Sequence, residues 1–199
     1  REAFATQKRQ LDQVPVSAFE LDPELGKDLK IEVWAQSPQV FTPVAIDVDA
    51  QGRVWSTEGI DYSSPRRISN GQSIVVMTDT DQDGRADKSH IFVSEPKARH
   101  APMGLAVFDN KIVFSATPDI IVYTDVNRNA VFEPGIDKRE VFLTGFAGGK
   151  HDHTLHAVVG SPSGQWYFSI GNMGMDVKTR DNRHLLAGQQ IFGQLHAPP

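Results

Sequence analysis

Three imidazoles and a carboxylate crowd the run HDHTLH: His151, Asp152, His153 and His156. Histidine titrates near neutral pH, so a neighbouring carboxylate such as Asp152 is enough to make His153 a general base. The same set supports a second chemistry. His-x-His with a further His three residues on gathers nitrogen donors as a zinc site requires, which would use His151, His153 and His156. A third reading needs no chemistry at all, only polar loop residues that hydrogen-bond backbone.

The apolar run LHAVV, a reversal at Ser161-Pro162-Ser163-Gly164 and the aromatic run WYFSI follow, and together they predict a β-hairpin. The histidines therefore stand at the mouth of a strand, where a sheet holds a reactive group and a loop exposes it. Asn172, beyond the second strand with glycines nearby, permits close backbone approach to a ligand or marks a turn.

A second chemistry-bearing stretch sets carboxylates on alternate residues: Asp79, Asp81 and Asp83, then Gly84 for a sharp turn, then Asp87. This spacing wraps oxygen ligands around a hard cation such as calcium. It is not an EF-hand, because His90 stands at the twelfth place and strands flank the loop. Asp125, Asn127, Asn129, Glu133 and Asp137 form a less charged counterpart with the same reading. Solvated turns are the alternative for both loops.

The elements that carry these loops repeat. PVAIDVDAQGRVWSTEG from Pro43, PMGLAVFDNKIVFSAT from Pro102 and LHAVVGSPSGQWYFSI from Leu155 each read strand, turn, strand. Between them, SIVVMTDTDQDGRADKSHIFV matches IIVYTDVNRNAVFEPGIDKREVFL, a second hairpin built around each acidic loop. Two hairpins make a four-stranded unit, the arithmetic of a β-propeller blade. The expectation is an all-β chain holding about two and a half blades of a ring that needs roughly four to eight. The blades are placed at 29–199, with an outer strand from Leu29 in LKIEVWA, after a lead-in at 1–28. Such a chain is expected to be part of a longer protein. Trp34, Trp55 and Trp166 read as packing between blades, while Glu58, Tyr62, Arg66 and Arg67 are loop residues able to line a channel.

Composition narrows the function classes. With a net charge of −5 over 199 residues and only scattered basic pairs, nucleic acid is not an expected partner. Apolar runs fall far short of the roughly 20 residues that cross a bilayer. The chain holds no cysteine, which excludes a disulfide, a thiolate metal site and a catalytic thiol within it.

The run from Asp152 to Gly174 resembles soluble quinoprotein glucose dehydrogenases and the related sorbosone dehydrogenases, in which an Asp-His pair precedes a strand, a tight turn and an aromatic strand. Taken with TEG at 57–59, DTDQDGRADK at 79–88 and HDHTLHA at 151–157, the chain from Phe19 to Gly193 is similar to membrane-bound dehydrogenase domains of planctomycete-type bacteria, often fused to a haem-binding domain. The resemblance implies a six-bladed propeller with pyrroloquinoline quinone, or a relative, at the channel mouth. It also implies oxidation of a sugar or alcohol, with His153 as base and Asp152 beside it. Arg99 and His100 stand near the place of a glutamine in the family, and with Asn172 they are the candidate cofactor contacts. An exported or periplasmic location and an electron acceptor, such as a haem domain on the parent chain, follow from the same resemblance. Two other functions fit the residues: a non-catalytic propeller that binds carbohydrate or protein, and a metal-dependent hydrolytic propeller.

Overall fold

The computed structural model describes residue 16 and residues 19–59, 72–95, 102–147, 153–171, 173–188 and 194–197. The repeated hairpin signals fold as antiparallel meanders. The first is β1 (Pro43–Val48), β2 (Val54–Glu58), β3 (Gln72–Thr78) and β4 (Lys88–Glu95), in that spatial order. The second is β5 (Leu105–Phe108), β6 (Lys111–Ala116), β7 (Asp119–Thr124) and β8 (Lys138–Phe146). A third begins with β9 (Leu155–Gly160) and β10 (Trp166–Ile170).

Strand alternation gives each meander two apolar faces, and both are used. On β3, Ile74 and Val76 point to the second meander, while Val75 and Met77 point the other way, under Trp34, Ala35 and Val40 of the stretch before β1. On β6 and β7, Ile112, Phe114, Ile121 and Tyr123 meet Trp55 and Phe92 of the first meander. Their neighbours Val113, Ile120 and Val122 meet Leu155, Val158 and Phe168 of the third. Sheets covered on both faces by neighbours of their own kind are stacked blades. The leading strands confirm the stacking, since β1 lies beside β5 and β5 beside β9. They run in the same sense: a Cβ on Gly104 would fall 2.4 Å from the His156 carbonyl oxygen, and one on Gly160 would fall 2.1 Å from the Phe108 ring. The chain is a partial β-propeller.

Two of the three tryptophans pack between blades as expected; Trp34 instead packs on the outer face of the first meander, against Val75 and Met77. Trp55 is 1% exposed between the first two blades, edge-on to Phe92, and Trp166 stacks on Phe108 between the second and third.

One feature differs from the sequence-based expectation, and two lie in a stretch for which the sequence predicts no pairing. Leu29 to Ala35 forms no strand. The single backbone bond from Ala86 N to Trp34 O at 2.8 Å does not make a ladder, and period-two alternation cannot supply a partner. Second, β11 (Met175–Thr179) and β12 (His184–Gly188) do not finish the third blade. Instead β11 crosses back to pair with β8 and β12 pairs with β11, extending the second sheet to the order β12-β11-β8-β7-β6-β5. Third, β13 (Gln194–Ala197) takes the place beside β10 that β11 leaves open. Among the described residues no helix is long and apolar enough to cross a membrane.

Candidate functional site

Because the leading strands run parallel, their starting ends lie together. At that end the chain enters β5 and β9 and leaves β2, β6 and β10. His153 stands there, two residues before Leu155, solvent-exposed on a fixed backbone. Thr154 is 3% exposed; its carbonyl accepts from Gly171 N at 2.6 Å and its hydroxyl is bonded to Thr117 Oγ1 at 2.9 Å. Gly171 lies so close that a Cβ there would meet the His153 carbonyl oxygen at 2.4 Å. The exit of β10 thus clamps the peptide that carries His153 and leaves its ring reachable.

His156 occupies an irregular position. Phe168 pairs with Val158 and Ile170 with Leu155, so His156 and Ala157 share the single Ser169 opposite them. That is a β-bulge, a device that turns a side chain out of strict alternation. Its Nε2 is shut off from solvent and meets no hydrogen-bond partner among the described residues. Asp152, His151, Arg99, His100 and Asn172, with Tyr62, Arg66 and Arg67, lie outside the described residues.

Glu58 is built in rather than presented. It is 4% exposed, and its Oε1 accepts from Phe41 N at 2.9 Å, tying the stretch before β1 to the end of β2. A hollow of about 500 Å³ is lined by Lys30, Trp34, Gln39 and Arg85, beside the stretch that precedes β1, and by none of the described residues of the histidine end.

The acidic loops lie at the opposite end of the blades. Thr78 pairs with Lys88 next to the first loop, and Gln72 pairs with Glu95 at the far end of the same two strands. The calcium candidates and the imidazoles therefore form two separate places. In the first loop, oxygens of Asp79, Asp81 and Asp83 lie within 4.8 Å of one another. Asp87 does not join them, because its Oδ2 accepts from the backbone and hydroxyl of Thr80. No imidazole cluster with metal-site spacing occurs among the described residues.

The second loop repeats the same backbone. Asp125 accepts from Asn129 N and Ala130 N as Asp79 accepts from Asp83 N and Gly84 N. Where the first loop has Asp81 and Asp83, the amides of Asn127 and Asn129 both donate to Glu133 Oε2, at 2.7 and 2.6 Å. The second loop meets its charge with its own donors.

Sequence reasoning missed two polar clusters between and within the blades. Asp49 accepts from Trp55 Nε1 at 2.7 Å and from Arg53 Nε at 2.6 Å. Burial pushes its pKa up, but the bonds from Trp55 and Arg53 outweigh it and hold the carboxyl below its ordinary range. Glu95 of the first blade reaches into the second, where its Oε2 accepts from the Tyr123 hydroxyl and from Arg139 Nε at 2.7 Å. Burial, with the Glu95 carboxylate beside it, raises the Tyr123 phenol above its ordinary value, and the bond to Glu95 raises Arg139. The Asp-x-x-Gly-x-x-Trp spacing of the first cluster is a readable signal; the second joins residues far apart in sequence and leaves none.

Residues 21–194 match the model of a family described as a domain of unknown function, DUF7133, and the chain belongs to that family. Among solved structures it is similar to the iodide structure of the Trichoderma reesei protein of carbohydrate-active enzyme family AA12. The TM-score is 0.51 at 16% identity, over 69% of this chain and 31% of that one. It is also similar to a structural-genomics target described as a candidate gluconolactonase, with a TM-score of 0.45 at 14% identity over 80% of this chain and 51% of that one. The chain therefore spans about a third of the first of these and about half of the second. No curated protein matches it.

Proposed function

We propose that this chain is the part of a propeller oxidoreductase that supplies the proton-accepting imidazole for oxidation of a sugar or alcohol. The observation that carries this reading is His153, an exposed ring on a peptide clamped by Thr154 and Gly171 at the end where the leading strands converge. A general base needs that combination of reach and fixed position. The resemblance of the Asp152–Gly174 run to quinoprotein sugar dehydrogenases supplies the reaction class, and likeness to a carbohydrate-active family is consistent with it.

In this reading His153 accepts the substrate hydroxyl proton at a ring nitrogen, with Asp152 orienting it. Pyrroloquinoline quinone, when bound, would accept the hydride. The described residues fit the proton-accepting half of that chemistry. Arg99, His100 and Asn172 would be this chain's contacts to the cofactor, and the basic groups that grip the quinone carboxylates would come from further blades of a longer parent protein. Calcium at Asp79, Asp81 and Asp83 would serve the fold from the opposite end of the blades. Electrons would leave to an acceptor such as a haem domain on the parent protein, outside the cytoplasm.

The test is dye reduction by the full-length protein with the quinone and calcium, across aldoses and alcohols. His153→Ala should lower turnover by about 10²–10⁴-fold. Undiminished turnover in that variant would remove His153 as the base. Carbohydrate binding without turnover in the wild type would favour a binding module.

A further inference from the structure

We propose that residues 30–35 are the fourth strand of a further blade, and that their edge docks the third strand of that blade, carried by a later part of the parent protein. Two distant parts of one chain would then close the ring. A repeat points there first. KIEVWA from Lys30, KSHIFV from Lys88 and KREVFL from Lys138 share a lysine, then an aliphatic, an aromatic and an apolar residue at the fourth, fifth and sixth places. The second and third of these are β4 and β8, the closing strands of the first two meanders. Hydrogen bonding then gives Trp34 the place of Phe92. The acidic loops match residue for residue from Asp79 and from Asp125, which sets Ala86 against Phe132. Phe132 N donates to Phe92 O at 2.9 Å, from the second blade to the fourth strand of the first, and Ala86 N donates to Trp34 O at 2.8 Å. Packing agrees. Phe92 lies among Ile112, Ile121 and Tyr123, and Trp34 lies against their counterparts Val54, Val75 and Met77.

What this stretch lacks is the rest of its blade. β4 pairs with β3 and β8 with β7, third strands that are buried along most of their length. Among the described residues no strand pairs with residues 30–35, and the hollow of about 500 Å³ is lined by every residue from 30 to 36. Phe92 is accordingly buried and Trp34 only partly so. A strand seated by its apolar side chains but without a neighbour is a template for one more antiparallel strand. The strand that fits is of the β3 kind, apolar on both faces, because one face meets the first blade and the other the blade before it. Three blades do not close a ring, which takes about four to eight. The AA12 structure that shares this fold is matched over only 31% of its chain, so such a fold has room for later blades. The inference rests on the longer parent protein of the reading above and not on oxidation.

Hydrogen exchange tests the pairing. Amides of residues 31–36 should exchange about 100-fold more slowly in the full-length protein than in the 199-residue chain, which lacks the docking strand. Equal exchange in the two overturns the proposal. Cross-linking then identifies the partner. With Glu32 replaced by p-benzoylphenylalanine in the full-length protein, light should join position 32 to a segment of the same molecule beyond residue 199. Cross-links confined to residues 1–199 overturn the proposal, as do cross-links between two molecules in isotopically mixed protein, which would make the partner a second copy. Val33→Pro, a residue that sheet interiors do not accept, should lower the melting temperature of the full-length protein and leave that of the 199-residue chain unchanged. An equal drop in both would also overturn it; if the variant does not fold, the wild-type exchange comparison decides. Sugar oxidation by a protein whose 31–36 amides are unprotected would sink this inference alone, and protection without oxidation would sink only the oxidoreductase reading.

Discussion

Asp49 is the residue on which the first hairpin closes. Besides Trp55 and Arg53 side chains it accepts from the backbone of Gln51 and Arg53, at 3.0 and 2.9 Å. Its folded pKa lies below its ordinary one, so the unfolded chain binds the proton more tightly. The stabilisation is therefore present above the unfolded carboxyl value of about 3.9 and is lost as pH falls through the folded pKa. Asp49→Asn should cost about 1–3 kcal/mol at neutral pH and flatten the acid limb of a stability–pH curve measured by urea unfolding. An equal acid limb in the variant would show that the carboxylate is not what titrates. Glu95 makes a harder case, since its removal strands a half-buried guanidinium. Glu95→Gln should cost about 3–5 kcal/mol, and Tyr123→Phe, which leaves the ion pair, only about 1 kcal/mol. Near-equal losses would mean that the charge contributes little. Glu95 was invisible in the sequence because its partners, Tyr123 and Arg139, become neighbours only when two blades stack.

At the scale of the element, the two hairpin loops form an internal comparison that separates backbone from charge. Both run through left-handed residues at matching places, Gln82 and Gly84 in one and Arg128 and Ala130 in the other. The backbone path is thus a property of the loop, and the excess of carboxylates is particular to the first. Asp81→Asn with Asp83→Asn gives the first loop the chemistry of the second. If calcium binds, wild type should gain melting temperature with added calcium as binding linkage requires, and the double variant should not. An equal response in both would exclude the loop as the calcium site. The strand alternation, the turn residues and this duplication are all legible in the amino-acid sequence, since each is local. Where β11 and β12 pair is not, because a strand's own pattern says which face is apolar and not which edge it joins. The clamp on His153 is hidden for a similar reason: Gly171 reads as a turn residue, yet its role is to let β10 touch the His153 peptide. Gly171→Ala should destabilise the protein by about 1–3 kcal/mol and, through the displaced peptide, lower turnover more than it weakens substrate binding. A rise in KM with unchanged kcat would mean that the clamp does not position His153.

For the whole molecule, the repeat predicts what each blade face requires. Leu105 and Val107 of β5 turn toward the first blade, Leu105 only 5% exposed. Their counterparts on β1 are Ile46 and Val48, 66% and 54% exposed, with Val44, 36% exposed, on the same face. Val159 on β9, at the other end of the stack, is 53% exposed. Aliphatic side chains on successive outward positions of a leading strand are what another blade covers in this architecture, so each terminal face holds burial free energy of about 25 cal/mol per Å² in reserve. The chain studied as these 199 residues should therefore associate as its concentration rises, giving a light-scattering mass above 22.0 kDa after size exclusion. Ile46→Lys should shift it toward the monomer, and Ile46→Lys with Val159→Lys should do so further, because the two faces act independently. The exposed Leu185 on β12, 48% exposed but outside both faces, supplies the control: Leu185→Lys should leave association unchanged. A wild-type chain that stays monomeric at high concentration, or one that Leu185→Lys dissociates as well as Ile46→Lys does, would mean that the blade faces are not where the molecule joins its neighbours.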